Sequence, residues 1–221
     1  VFVKAPLLDD PPAAGYLASR EVKQMPLKAM LFDMDGTITR PRLDFPAIKR
    51  EIGIPADAYI LEALETMPAE ARHKAMAILE RHEMEAAQLS ELNPGARLLL
   101  EELRRRTIVT GIITRNSAAS VDVVLRRHGL TFTVIVCRED APPKPAPEGL
   151  LMALQRVNVA PREAVYVGDH PIDLAAGKAA GTRTIWVTNG REAASEPQAD
   201  FVVSGLAEIV PLLEQLARQL P

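Results

Sequence analysis

The chain has 221 residues, of which 48% are hydrophobic and 25% charged, with a formal net charge of -3. This is the composition of an ordinary globular protein, long enough to bury a real core as one domain with an insertion or as two small domains. Acids and bases are mixed along it, so no basic stripe points to nucleic acid and no acidic tail to a cationic partner, and no apolar run reaches the roughly 18 residues of a membrane span.

Residues 1–26 carry prolines at 6, 11, 12 and 26 without a sustained period, which reads as an extended arm with a short helical turn around residues 17–24. The arm lacks a basic start followed by an apolar core, so no secretory signal is read there and a reducing cytoplasm is the expected compartment. Next comes Ala29-Met30-Leu31-Phe32-Asp33-Met34-Asp35-Gly36-Thr37. An apolar run of strand length here ends in two carboxylates spaced i, i+2, then a glycine and a hydroxyl. Side chains alternate along a strand, so Asp33 and Asp35 leave on the same side. Two anions placed together need a counter-charge, and oxygen ligands suit magnesium. The plainer alternative is an Asp-rich loop that only caps a turn.

No strand pattern appears between Thr37 and Asn93. Helical periods around residues 45–51, 58–65 and 69–89 predict an insertion at the C-terminal edge of the sheet, where ligands of open parallel sheets bind, so it can act as a lid or as simple packing. Arg40, Arg42 and Asp44 lie where the chain turns into this insertion, to contact a substrate or to solvate a hinge. His73, His82 and His128 fall in helical stretches with no spacing that pairs them as ligands.

Further strands are predicted at 108–113, 132–136, 164–167 and 184–187, alternating with helices at 95–105, 118–128, 147–157 and 172–180. Nearly all-apolar strands alternating with helices describe a parallel sheet covered on both faces. An edge strand at 201–203 and an amphipathic terminal helix close the chain. The single cysteine, Cys137, excludes an intramolecular disulfide framework and a cysteine-based zinc cluster; after the apolar residues 134–136 it reads as a packed thiol at a strand end.

Three more stretches carry chemistry. Thr114-Arg115-Asn116-Ser117 puts a hydroxyl at a strand end before a helix, which suits a phosphate oxygen and is also ordinary N-cap chemistry. In Pro142-Pro143-Lys144-Pro145-Ala146-Pro147, rigid prolines fix the backbone around Lys144, so its ammonium can be aimed at an anion; an exposed linker lysine is the alternative. Val165-Tyr166-Val167-Gly168-Asp169-His170-Pro171-Ile172-Asp173 again delivers an acid at a strand end, with a second acid at a helix start, where acids are common cap partners.

In residues and order these four stretches resemble the haloacid dehalogenase superfamily, in its large phosphatase branch. Lys144-Pro145-Ala146-Pro147 and Ala179-Ala180-Gly181 are similar to the phosphoglycolate-phosphatase-like group within it. The resemblance implies a three-layer, Rossmann-like α/β core with a parallel sheet and a small all-helical cap inserted after the first strand. The core is expected over 27–38 and 93–221, the cap over 39–92, and the arm over 1–26. It further implies Asp33 as a nucleophile that takes the phosphoryl group and Asp35 as the acid and base. Thr114 and Lys144 would hold phosphoryl oxygens, with Arg115 and Asn116 beside them. Magnesium would lie between Asp33, the backbone carbonyl of Asp35, and Asp169, with Asp173 reaching it directly or through water. Superfamily members that cleave carbon–halogen bonds need no acid at the Asp35 position and use no metal, so Asp35 argues for phosphate chemistry. His170 stands where a small hydroxyl residue often follows the Gly-Asp pair and is expected to be an exposed loop histidine near the metal.

The implied function is a magnesium-dependent phosphatase that hydrolyses a small phosphorylated metabolite, a phosphomonoester, through an aspartyl phosphate. Two alternatives stand beside it. One is a phosphosugar mutase, which needs an extra acid-base residue that nothing in 45–89 singles out. The other is a non-catalytic domain that binds a phosphorylated ligand or a partner, in which loss of one of the acids is expected.

Overall fold

The computed structural model describes residues 27–191 and 199–219, so the arm expected over 1–26, with its helical turn, lies outside them. At the centre is Ala29-Met30-Leu31-Phe32, buried at every position, which forms strand β1 (Ala29–Phe32). It pairs in parallel with β2 (Val109–Ile113) on one side and β4 (Ala164–Gly168) on the other. β3 (Val134–Val136) extends the first side; β5 (Arg183–Val187) and β6 (Phe201–Val203) extend the second, giving the parallel order β3-β2-β1-β4-β5-β6. Strand succession reverses between β1 and β4, which opens a crevice at their C-terminal ends.

The period of two sorts β1 between two cores. Met30 and Phe32 join Val165, Val167 and Ile185 on one face, against α4 (Ala96–Arg105), α5 (Ala118–His128) and α8 (Ile209–Gln219). Ala29 and Leu31 join Ile113, Val136 and Tyr166 on the other, against α6 (Glu148–Arg156) and α7 (Pro171–Ala179). Leu31, Phe32, Leu99 and Leu150 are fully buried, each contributing about 1.5–3 kcal/mol. The three-layer α/β architecture with a parallel sheet is the one implied by the sequence.

Between β1 and α4 run α1 (Phe45–Ile52), α2 (Ile60–Glu65) and α3 (Ala69–Gln88). They share a small apolar cluster of their own, with Ile48, Ile60, Leu61, Leu64, Ala75 and Leu79 buried. Asp44 opens α1 by accepting a hydrogen bond from the Ala47 amide at 2.9 Å, and Gly53, at φ 84°, closes it. At 20 residues α3 is about 30 Å long, enough to reach down to the main core, where Ala87 packs.

Element ends differ from the sequence periods by a residue or two. β3 begins at Val134 instead of 132, where its pairing with Gly111 starts, and Phe132 before it packs its ring edge-on to Phe32, with centroids 6.5 Å apart. α2 begins at Ile60 instead of 58, because Ala58 closes a turn onto the Pro55 carbonyl at 3.2 Å. Among the described residues, no helix is long and apolar enough to cross a membrane.

Candidate active site

Asp33 extends the sheet by one further bond, its amide donating to the Val167 carbonyl at 2.9 Å, so its carboxylate emerges in the crevice. The chain then folds back, with the amides of Ile38 and Thr39 donating to the Met34 carbonyl at 2.9 and 3.0 Å. Gly36 sits in this turn at φ +83°, where a Cβ would lie 2.3 Å from Oδ2 of Asp169. Only glycine allows this approach. Asn93 fixes the turn from behind, its buried amide donating to the carbonyls of Gly36 at 2.9 Å and Thr37 at 2.8 Å, and Asn189 also donates to Gly36 at 2.7 Å.

Asp35 faces a different set of partners from Asp33. Thr39 donates its hydroxyl to Oδ1 at 3.1 Å, and the Asn116 amide donates to Oδ2. Burial pushes the Asp35 carboxyl upward, while the bonds from Asn116 and Thr39 pull it back. This is the environment of a carboxyl that can hold or release a proton.

Lys144 is 4% exposed and uses all three of its ammonium protons: on Asp33 Oδ1 at 2.5 Å, Asp173 Oδ1 at 2.6 Å and Tyr166 Oη at 2.9 Å. Tyr166 in turn donates to the Ile113 carbonyl at 3.2 Å. Burial works against the charged lysine, but Asp173 and Asp33 outweigh it and hold its pKa well above the usual range.

Asp169 follows β4 and pairs with Arg191 at 2.8 Å, while its carbonyl accepts from the Trp186 indole at 3.2 Å. Asp173 lies in the first turn of α7, its Oδ2 accepting from the His170 amide at 3.0 Å. Asp33, Asp169 and Asp173 each offer a carboxylate oxygen within 4.8 Å of the others. The donor set is all oxygen; the buried Lys144 ammonium serves Asp33 and Asp173, and the more exposed Arg191 serves Asp169. Burial raises Asp33 well above its usual range, with Asp173 and Asp169 adding to this and Lys144 opposing it; burial and Asp173 push Asp169 up to about 6. The cluster therefore fits a hard divalent cation, which would relieve that repulsion.

Thr114 is buried at the end of β2, its hydroxyl oxygen accepting from the backbone amide of Asn116 at 3.2 Å. Arg115 and Asn116, expected beside phosphate, have protein partners. Arg115 binds Glu62 of α2 through two nitrogens, at 2.6 and 2.9 Å, and also donates to the Lys144 carbonyl. Asn116 is taken up by Asp35. Arg115 still lines the cavity with Asp33 and Lys144, while its guanidinium fork is matched by the Glu62 carboxylate of the insertion.

A cavity of about 400 Å³ runs from Asp33, Thr114 and Lys144 to the side chains of Phe45, Tyr59 and Leu79 on the insertion. Glu83 of α3 also reaches it, 3% exposed, accepting from the Ser117 amide at 3.2 Å and paired with Arg138. Sequence reasoning missed Glu83, although a signal existed: it interrupts the buried stripe Ala75, Leu79, Ala87 at a spacing of four. Tyr166 also had a signal, a phenol inside an apolar strand that needs a partner. Glu62, Asn93, Asn189 and Arg191 had none, since their partners are distant in sequence.

Of the remaining candidates, Arg42 and His170 also line the cavity, and the others lie elsewhere. Arg40 pairs loosely with Glu91 at 3.7 Å, His82 meets Glu51 at 2.8 Å and His128 meets Ser90 at 2.9 Å. Arg42 lines the cavity mouth. Exposed His170 accepts from the Ile172 amide through Nδ1 at 3.3 Å, so it caps α7. Cys137 is buried and unpaired, its thiol pushed up to about 11 by burial, which makes it a poor nucleophile.

A parallel sheet with an acid–lysine cluster at its switch point and a helical lid after the first strand defines an α/β enzyme of hydrolase type. The chain belongs to the haloacid dehalogenase-like hydrolase family, whose model matches residues 43–187. It is 33% identical over 207 residues to a haloacid dehalogenase-like hydrolase domain-containing protein of Arabidopsis thaliana, covering 85% of this chain and 84% of that one. It is 30% identical over 189 residues to the N-acetylmuramic acid 6-phosphate phosphatase of Pseudomonas putida, covering 75% of this chain and 85% of the relative. A hydrolase from Pseudomonas syringae shares the fold with a TM-score of 0.74 at 20% identity, over 85% of this chain and 98% of that one.

Proposed function

We propose that this chain is a magnesium-dependent phosphatase acting on a small phosphorylated metabolite, a phosphomonoester, through an aspartyl phosphate on Asp33. The observation that carries this reading is the division of labour between two acids two residues apart: Asp33 faces Lys144 and the acidic cluster, whereas Asp35 faces Thr39 and Asn116. The name of the Pseudomonas putida relative, a phosphatase, supports it.

In the first step an Asp33 oxygen attacks phosphorus, an Asp33–phosphoryl bond forms and the ester P–O bond breaks. Asp35 gives its proton to the leaving oxygen. In the second step water attacks the same phosphorus, Asp35 takes the proton, and the Asp33 carboxylate leaves. Thr114 accepts from the backbone amide of Asn116, so its hydroxyl proton can be donated to a phosphoryl oxygen, and Lys144, bonded to Asp33, Asp173 and Tyr166, sets a positive charge beside the transferring group and opposes the burial that raises Asp33. Asp33, Asp169, Asp173 and the Asp35 carbonyl would hold the magnesium, which when bound supplies charge neutralisation to the transferring group. Arg115 and Asn116 act by holding neighbours in place.

On this reading the core comprises 27–38 and 93–221, and 39–92 is a cap that closes the 400 Å³ cavity over the leaving group. Phosphate release from a generic aryl phosphate, with magnesium and with a chelator, tests the function. Metal-dependent release is expected, and release unchanged by chelation contradicts it.

A further inference from the structure

The proposed chemistry leaves Glu62 without a role. Arg115 stands at the end of β2, 18% exposed, and grips both oxygens of Glu62 in a two-pronged pair. The same guanidinium donates to the backbone carbonyl of Lys144 and lies 5.7 Å from the ring centroid of Tyr59, the residue before α2. One side chain therefore touches α2 and the backbone of the lysine whose ammonium contacts Asp33.

Two properties make this contact a working part. Lys144 is flanked by Pro143 and Pro145, whose rings fix their own φ and restrict the residue before each, so the backbone on either side of Lys144 has little freedom to rearrange. The Arg115–Glu62 pair is also within reach of water. Glu62 is 40% exposed, whereas Glu83, which fastens α3 to the loops around Ser117 and Arg138, is 3% exposed and belongs to permanent packing. Burial pushes Glu62 up, but the hydrogen bond and charge of Arg115 hold it below the usual carboxylate range, so the pair is fully charged when closed.

We propose that Glu62 is a positioning residue: through Arg115 it couples the seating of α2 over the cavity to the placement of Lys144 against Asp33. The inference rests on the reading of Asp33 as phosphoryl acceptor, but its test does not depend on turnover.

The test compares wild type, Glu62→Gln, and Glu62→Arg combined with Arg115→Glu, with Glu70→Gln as a surface control. The first readout is the NMR signal of the Lys144 Nζ in lysine-labelled protein. It shifts in Glu62→Gln and stays in place in the control. The second is kinetic: Glu62→Gln lowers kcat roughly tenfold and raises KM. In the swapped pair KM recovers, because the charges again attract, while kcat stays low, because a carboxylate at 115 cannot donate to the Lys144 carbonyl. An unshifted Lys144 signal in Glu62→Gln overturns the coupling whatever the kinetics show, and so does a swapped pair with full kcat. A wild-type chain inactive on every phosphate ester contradicts the phosphatase reading and leaves the NMR signal to judge the coupling alone.

Discussion

Nζ of Lys144 stands 2.5 Å from Oδ1 of Asp33, a contact between side chains 111 positions apart. The same ammonium is 2.6 Å from Asp173, and no other buried ammonium or guanidinium among the described residues touches these two acids. Lys144→Met therefore leaves two buried carboxylates without their cation, a change that costs about 3–5 kcal/mol. We expect a large fall in Tm together with loss of activity. Adding Asp33→Asn to it restores much of the Tm but none of the activity, as thermal denaturation and phosphate release will show.

Gly36→Ala tests the close approach of the first loop to Asp169. The new methyl meets Oδ2 at 2.3 Å in a backbone conformation at φ +83°. The left-handed strain alone costs about 1–2 kcal/mol, and the clash moves Asp169. Calorimetry should show a lower Tm and at least tenfold weaker magnesium binding.

The pH dependence of the metal-free protein follows from Asp169, raised from 3.8 to about 6. Between these values the folded state keeps a proton that the unfolded state has released, so stability falls as pH rises through about 4 to 6, by about 3 kcal/mol in all. Asp33 shifts the same way and adds to the slope. Above that window magnesium no longer competes with the Asp169 proton. The Tm gained on adding magnesium should therefore grow between about pH 5 and pH 7.5, and Asp169→Asn should flatten the profile.

Tyr166→Phe removes an acceptor from Lys144, at 2.9 Å, and a donor from the Ile113 carbonyl, at 3.2 Å. The buried carbonyl is left unpaired, which costs about 1–3 kcal/mol. We expect a Tm lower by several degrees and kcat reduced several-fold, with KM little changed, because the phenol supports the lysine and not the leaving group.

Much of the fold was legible in the sequence because a parallel sheet buries both faces. β1, β4 and β5 are apolar runs between glycines, acids and helical periods, and these are strong signals. Asp33, Thr114 and Asp169 were legible as candidates for the same reason: each follows a strand that ends at the crevice. Lys144 was marked by its prolines. What stayed hidden is pairing across the fold. Glu62 and Arg115 lie 53 positions apart, and a glutamate on a short helix such as α2 looks solvated until its partner is seen. Asn93 and Asn189 carry no signal of their own in the sequence, yet both support the Gly36 carbonyl.

The most direct test of the central claim is to trap the phosphoryl group on Asp33. Asp35→Asn should slow the second step, while an aryl phosphate with a good leaving group needs little acid help in the first. After acid quench in the presence of magnesium, mass analysis of the peptides should find one phosphoryl group on the segment that carries Asp33, and none in the Asp33→Asn variant. Phosphate release by a chain that never carries the group at Asp33, or turnover that survives Asp33→Asn, would contradict the account.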